Sequence, residues 1–101
     1  VKADSELKCE IHWLVPNAQK NIMEPIIIHL EPQGRTLLDD PHDGEEFGYV
    51  LKGEIDLHLG SKKKRVRSGE TFYFQAQASH FIVNNGKKRA SVLWVSTPPS
   101  F

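Results

Sequence analysis

Apolar side chains recur at every second position through much of this chain. Cys9, Ile11, Trp13 and Val15 alternate with Lys8, Glu10 and His12, the period of a strand with one buried face, and only Leu14 departs from it. Pro16 and Asn17 end that run. Ile26, Ile27 and Ile28 lead a second, β-branched run bounded by Pro25, Pro32 and Gly34. Glu46 to Leu51 reads as a third strand, and Lys52-Gly53 turns the chain into a fourth, Glu54 to Leu59. In the fourth, Ile55, Leu57 and Leu59 face one way while Asp56 and His58 face the other. Gly60-Ser61 predicts a hairpin with the basic stretch Lys62 to Arg67 as its returning arm. Ser68-Gly69-Glu70 turns into Thr71 to Phe74, and a strand over His80 to Val83 runs into Asn84-Asn85-Gly86, the strongest short hairpin signal in the chain. Ala90 to Ser96 is the last strand, stopped by Thr97-Pro98-Pro99. No stretch sustains a helical apolar period. The pattern predicts an all-β protein, a small antiparallel barrel or sandwich.

Parity adds one expectation about the third strand. If Glu46 points inward, Gly48 and Val50 follow it, and Phe47, Tyr49 and Leu51 occupy the other face. A strand apolar on both faces needs cover on both, and a second copy of the chain, a homodimer, is one way to supply it. The aromatics Phe47, Tyr49, Phe72, Tyr73, Phe74, Phe81 and Trp94 mostly lie within strands, and most are expected in the core.

Length and composition narrow the function classes. A chain of 101 residues suits one domain with a single core. Its 13 basic and 13 acidic side chains cancel, which argues against a free-standing nucleic-acid binder held by counterion release. Apolar runs such as Pro25 to Ile28 are far too short to cross a bilayer, so no membrane partner is expected. Cys9 is the only cysteine, which forbids an internal disulfide, and no signal segment opens the chain; a soluble, cytoplasmic protein is the expectation. Cys9 itself reads as a small buried apolar side chain. The first residue is Val1 rather than Met, as in a fragment of a longer protein. Helix-turn-helix, phosphate-loop and dinucleotide fingerprints are absent from these residues.

The residues able to carry chemistry are Asp40, His42, Glu46 and His80. His42 and Glu46 are four apart, and in a straight strand that spacing spans roughly 13 Å, too far for two ligands of one ion. A shared site therefore requires the chain to bend between them, and Pro41 with Asp43-Gly44 supplies the means. The bland reading is a hydrogen-bonded polar cluster at a barrel mouth, without metal. His12 and His58 fall on polar faces and are expected in solvent, while His29, in an apolar run, reads as a satisfied core or edge side chain.

These residues fall into a pattern that resembles the cupins. The first cupin motif reads Gly, five residues, His-x-His, three or four residues, Glu, six residues, Gly. Gly34, Asp40-Pro41-His42, Glu46 and Gly53 keep every spacing, with Asp40 in place of the first histidine. The second reads Gly, five residues, Pro-x-Gly, two residues, His, three residues, Asn; Gly69, Gln75-Ala76-Gln77, His80 and Asn84 keep it, with glutamines in place of proline and glycine. The resemblance implies a double-stranded β-helix (jelly-roll) barrel: residues 1–24 an N-terminal strand and connection, 25–100 the cupin core, with the motifs at 34–53 and 69–84. It further implies one divalent ion (Fe, Zn, Ni or Mn) on His42, Glu46, His80 and Asp40, with His42, Glu46 and His80 also touching a ligand.

The run His42 to Glu54 and the ending Leu93 to Phe101 look like the C-terminal effector domain of XRE-type helix-turn-helix transcription regulators. That likeness implies a small-molecule sensor, an amine or an amino acid as effector, and DNA contact only through a domain outside this chain. His42, Glu46 and His80 also form a two-histidine, one-carboxylate set similar to that of non-haem iron oxygenases, including a cupin epoxidase, which is the alternative. The basic run Lys62 to Arg67 reads as an exposed hairpin arm rather than a phosphate-binding patch.

Overall fold

The computed structural model describes residues 1–16 and 21–98. Nine strands make up its regular structure: β1 (Lys2–Asp4), β2 (Cys9–Trp13), β3 (Glu24–Leu30), β4 (Glu45–Lys52), β5 (Glu54–Leu59), β6 (Lys62–Arg67), β7 (Thr71–Gln75), β8 (His80–Val83) and β9 (Ala90–Thr97). Among the described residues there is no helix, hence none long and apolar enough to cross a membrane. β1 is too short to leave an alternation in the sequence and was not legible there.

The strands form two antiparallel sheets. The larger has the order β1-β2-β3-β9-β4-β7 and the smaller β6-β5-β8. Alternation decides which side chains meet between them. In β3, Glu24, Ile26, Ile28 and Leu30 are buried while Pro25, Ile27 and His29 are half-buried on the outside. β9 answers with Ala90, Val92, Trp94 and Ser96 inward, through a register that sets Ile26 beside Trp94 and Ile28 beside Val92. Val50, Phe72 and Phe74 from the large sheet and Ile55, Leu57, Val66 and Ile82 from the small one complete the core. Each such aliphatic side chain contributes about 1.5–3 kcal/mol by leaving water. This is the jelly-roll β fold that the resemblance implies.

Gly60-Ser61 makes the expected hairpin, pairing Leu59 with Lys62. Asn84-Asn85-Gly86 does not. β8 pairs with β5 in the small sheet, whereas β9 pairs with β3 and β4 in the large one, so the chain crosses between sheets here. Asn84 explains the crossing: its buried side-chain amide donates to the carbonyls of Leu30 and Lys88 (3.0 and 2.8 Å), and its Oδ1 accepts the Gly86 N–H at 2.9 Å. A side chain that plugs three backbone groups can serve a connection as well as a hairpin.

The parity expectation for β4 is met: Glu46, Gly48 and Val50 are buried, and Phe47, Tyr49 and Leu51 are 37%, 38% and 45% exposed. Tyr73 joins that outer face, so Phe72, Phe74 and Trp94 are core aromatics but Phe47, Tyr49 and Tyr73 are not. Cys9 is buried, which pushes its thiol up to about 11 and keeps it protonated. His29 is satisfied by the Ser91 hydroxyl at 2.8 Å. His12 and His58 are half-buried rather than free in solvent: His12 contacts Glu10 at 2.6 Å, and His58 stacks on Phe81 with centroids 4.4 Å apart.

Candidate metal centre

Two connections meet at one end of the barrel and are held by backbone bonds. The Asp39 and His80 peptides exchange N–H···O bonds of 2.8 and 3.0 Å, the His42 N–H donates to the Ala76 carbonyl at 2.8 Å, and the Ala76 N–H donates to Gly44 at 3.0 Å. The chain bends between His42 and Glu46 at Gly44, whose φ of +131° is open to glycine. A Cβ there would also collide with the Thr97 carbonyl oxygen. His80 thus needs neither the proline nor the glycine that Gln75 and Gln77 replace. Its backbone is aimed by pairing with residue 39 instead.

This clasp gathers Asp39, His42, Glu46 and His80, each offering one ligand atom, with those atoms all within 4.8 Å of one another. His80 Nε2 lies 3.1 Å from Asp39 Oδ2 and 3.6 Å from Glu46 Oε1, and His42 Nε2 lies 3.5 Å from Asp39 Oδ2. The carboxylate beside the histidines is therefore Asp39, not Asp40. Asp40 is exposed and outside the group, because successive residues of an extended segment point to opposite sides and the Asp39↔His80 bridge fixes which one points in. His42, Glu46 and His80 do come together.

Hydrogen bonding sets the state of each ligand atom. His42 Nδ1 lies 3.0 Å from the Asp43 carbonyl and His80 Nδ1 lies 3.1 Å from that of Ala78. A carbonyl only accepts, so each Nδ1 carries a hydrogen and each ring turns its Nε2 to the centre. Trp94 Nε1–H donates to Glu46 Oε1 at 3.2 Å. That leaves His42 Nε2, Glu46 Oε2 and His80 Nε2 buried without a hydrogen-bond partner. Burial alone would lower the His80 imidazole, but Glu46, the Ala78 carbonyl and Asp39 outweigh it and raise it above the ordinary histidine value. The centre is a set of acceptors with too few donors, and it draws positive charge.

Two imidazoles and two carboxylates are a donor set for a divalent first-row ion, whose charge the carboxylates balance. The orphaned atoms fit such an ion. Beside the site lies a cavity of about 270 Å³, lined by Leu7, Cys9, Ile11, Ile28 and Trp94 and bounded by Asp39 and His80.

The Cupin domain family (Cupin_2) matches residues 26–96. The chain belongs to the cupin family. A relative in Methanocaldococcus jannaschii, an uncharacterized protein, is 32% identical over 87 residues, covering 85% of this cupin and 70% of the relative. The Cupin_2 domain of an XRE family transcriptional regulator from Enterobacter cloacae superposes with a TM-score of 0.80 at 16% identity, covering 92% of this chain and 99% of that one. An oxalate oxidase in complex with glycolate gives 0.79 at 23% identity, covering 96% of this chain and 54% of the enzyme. Regulators and enzymes share this cupin's fold, and the fold does not choose between them.

Proposed function

We propose that this cupin is the small-molecule-sensing half of a helix-turn-helix transcription regulator, with a divalent ion on Asp39, His42, Glu46 and His80 as the point where the effector is read. The observation that carries the reading is the convergence of buried, unpartnered acceptors beside an apolar cavity. An ion there would act as a Lewis acid, offering a free coordination position to an incoming nitrogen or oxygen. The effector fitting both halves is an amine or amino acid, with its polar head at the ion and its body against Ile11, Ile28 and Trp94. The likeness to a regulator's cupin domain of the same extent supports the role. Exposed Phe47, Tyr49, Leu51 and Tyr73 would seat a second copy, placing two DNA-binding domains in one cytoplasmic dimer. The effector must bind one arrangement of that dimer better than the other.

The two-histidine, one-carboxylate set His42, Glu46 and His80 favours a second reading, an iron-dependent oxygenase or epoxidase. Native mass spectrometry of protein purified without chelators, followed by oxygen-electrode assays, separates them. The sensor reading expects one divalent ion per chain, a dimer, a thermal shift with an amino acid or polyamine, and no oxygen uptake. Sustained oxygen consumption by the iron-loaded protein would install the enzyme in its place, and a chain that takes no metal would remove both.

A further inference from the structure

The basic run of β6 is two sets of charges, not one. β6 lies antiparallel to β5 with Leu57 opposite Lys64 and Leu59 opposite Lys62. Alternation therefore puts Lys63, Arg65 and Arg67 on the outer face of the small sheet and Lys62, Lys64 and Val66 on the inner one. The outer charges are answered. Arg65 Nε is 2.8 Å from Asp56 Oδ1, Lys63 Nζ is 3.9 Å from Asp56 Oδ2, and Arg67 Nε is 3.7 Å from Glu54 Oε2. On the inner face Val66 is core, but neither Lys62 nor Lys64 has a carboxylate partner among the described residues.

Those two lysines rim an open cleft of about 560 Å³ floored by Leu57, Leu59, Phe72 and Phe74, with Lys63, tied to Asp56 at 3.9 Å, and Tyr73 also on its border. The cleft has a topological cause. β6 is an edge of the small sheet and β7 an edge of the large one, and along this seam the two sheets are not joined by a ladder. Elsewhere the bridges Arg35↔Val83 and Asp39↔His80 continue the pairing beyond β8.

We propose that this seam is a second ligand site, separate from the metal centre, for a small amphipathic carboxylate. Its alkyl or aryl body lies on Leu57, Leu59, Phe72 and Phe74, and its carboxylate sits between the ammonium groups of Lys62 and Lys64. The apolar floor supplies the affinity and the lysines select the sign of the charge. Arginine forks, which match the several oxygens of a phosphate, face the other way on Arg65 and Arg67. Phe74 is the wall shared with the metal centre, its ring in edge contact with His80 at 4.9 Å between centroids. The competing role for the lysines is to cover the open end of the core with their stems while the charges stay in water.

Calorimetric titration of the full chain with octanoate and 3-phenylpropionate, with and without EDTA, tests the site. Saturable binding of one octanoate per chain is expected, about ten-fold tighter than 1-octanol or octylamine and unchanged by EDTA. The double variant Lys62→Gln/Lys64→Gln keeps most of the stems and should melt with the parent, yet bind octanoate about ten-fold more weakly. Arg67→Gln, on the outer face of the same strand and outside the cleft, should leave binding unchanged. Octanol binding as tightly as octanoate, loss of octanoate binding on chelation, competition by inorganic phosphate at equal strength, an equal loss in Arg67→Gln, or no saturable binding would each overturn the proposal.

Discussion

Glu46 and Asp56 are both carboxylates removed from water, 0% and 1% exposed, and the protein treats them in opposite ways. Asp56 is surrounded by donors: Arg65 Nε at 2.8 Å, Asn85 Nδ2 at 2.7 Å, and Lys63 at longer range. Glu46 accepts from the Trp94 indole and otherwise faces His80 Nε2 at 3.6 Å and the Asp39 carboxylate. A buried charge is costly unless it is paired. At Asp56 the chain carries its own cation, and the result is a fixed piece of structure. At Glu46 no arginine or lysine plays that part among the described residues, which is why the proposed cation is placed there.

The contrast breaks most completely at the ligands. Replacing Glu46 with Gln, or Asp39 or His80 with Ala, should abolish stoichiometric metal measured by mass spectrometry, while Asp40→Ala leaves it intact. With metal at 100 times its dissociation constant the folded parent gains about 2.7 kcal/mol, on the order of 10 °C in melting temperature, and these variants gain nothing. In metal-free protein at pH 8 Glu46→Gln should melt higher than the parent, since a neutral amide costs less to bury than a carboxylate with no arginine or lysine beside it. Equal metal content in Glu46→Gln and parent would remove Glu46 from the centre.

Trp94→Phe is the next largest. It deletes the one donor that orients Glu46 while keeping an aromatic ring against Phe72, whose centroid is 5.1 Å away. Metal affinity should fall about 10- to 100-fold, read by competition with a fluorescent chelator. An unchanged affinity would show that packing alone holds Glu46.

The smallest effect is at Asp56, and it has the opposite sign from Glu46. Asp56→Asn should cost about 1–2 kcal/mol in chemical denaturation and leave metal content untouched. The hydrogen bond from Arg65 holds the Asp56 carboxyl below the usual carboxylate range, against the pull of burial and with help from Asn85. A depressed folded value means that the Asp56 contribution is complete above the unfolded value of about 4 and is lost as pH falls through the folded one. The stability difference between parent and Asp56→Asn should therefore shrink on acidification, and a difference that stays constant to pH 2 would contradict the pairing.

The succession of strands was legible in turn residues such as Gly60-Ser61, and the two faces of β4 in the parity of Glu46 to Val50, because a period of two reports one buried face directly. The cluster of carboxylates and imidazoles was legible to within one residue. Motif spacing aligned Asp40 with a histidine, but which of two adjacent aspartates points inward depends on a backbone bridge to a residue 41 positions away, which local pattern does not carry. Asn84-Asn85-Gly86 failed for a related reason: its chemistry suits a tight turn, and only the partners of Asn84 reveal a crossing between sheets. The split of the basic run was also out of reach, since it rests on the register between β5 and β6.

The clasp between residues 39–44 and 76–80 has a consequence for how the proposed centre assembles. Asp39, His42 and Glu46 fall within eight residues of one another, whereas His80 lies 34 positions beyond Glu46. On an unfolded chain the first three would be a loose triplet, favouring whichever ion binds imidazole and carboxylate most tightly. By joining the fourth through backbone pairing rather than through local sequence, the fold would complete a cage only once the barrel has closed. The choice of ion would then fall to the shape of the finished protein rather than to the competition met by an open chain.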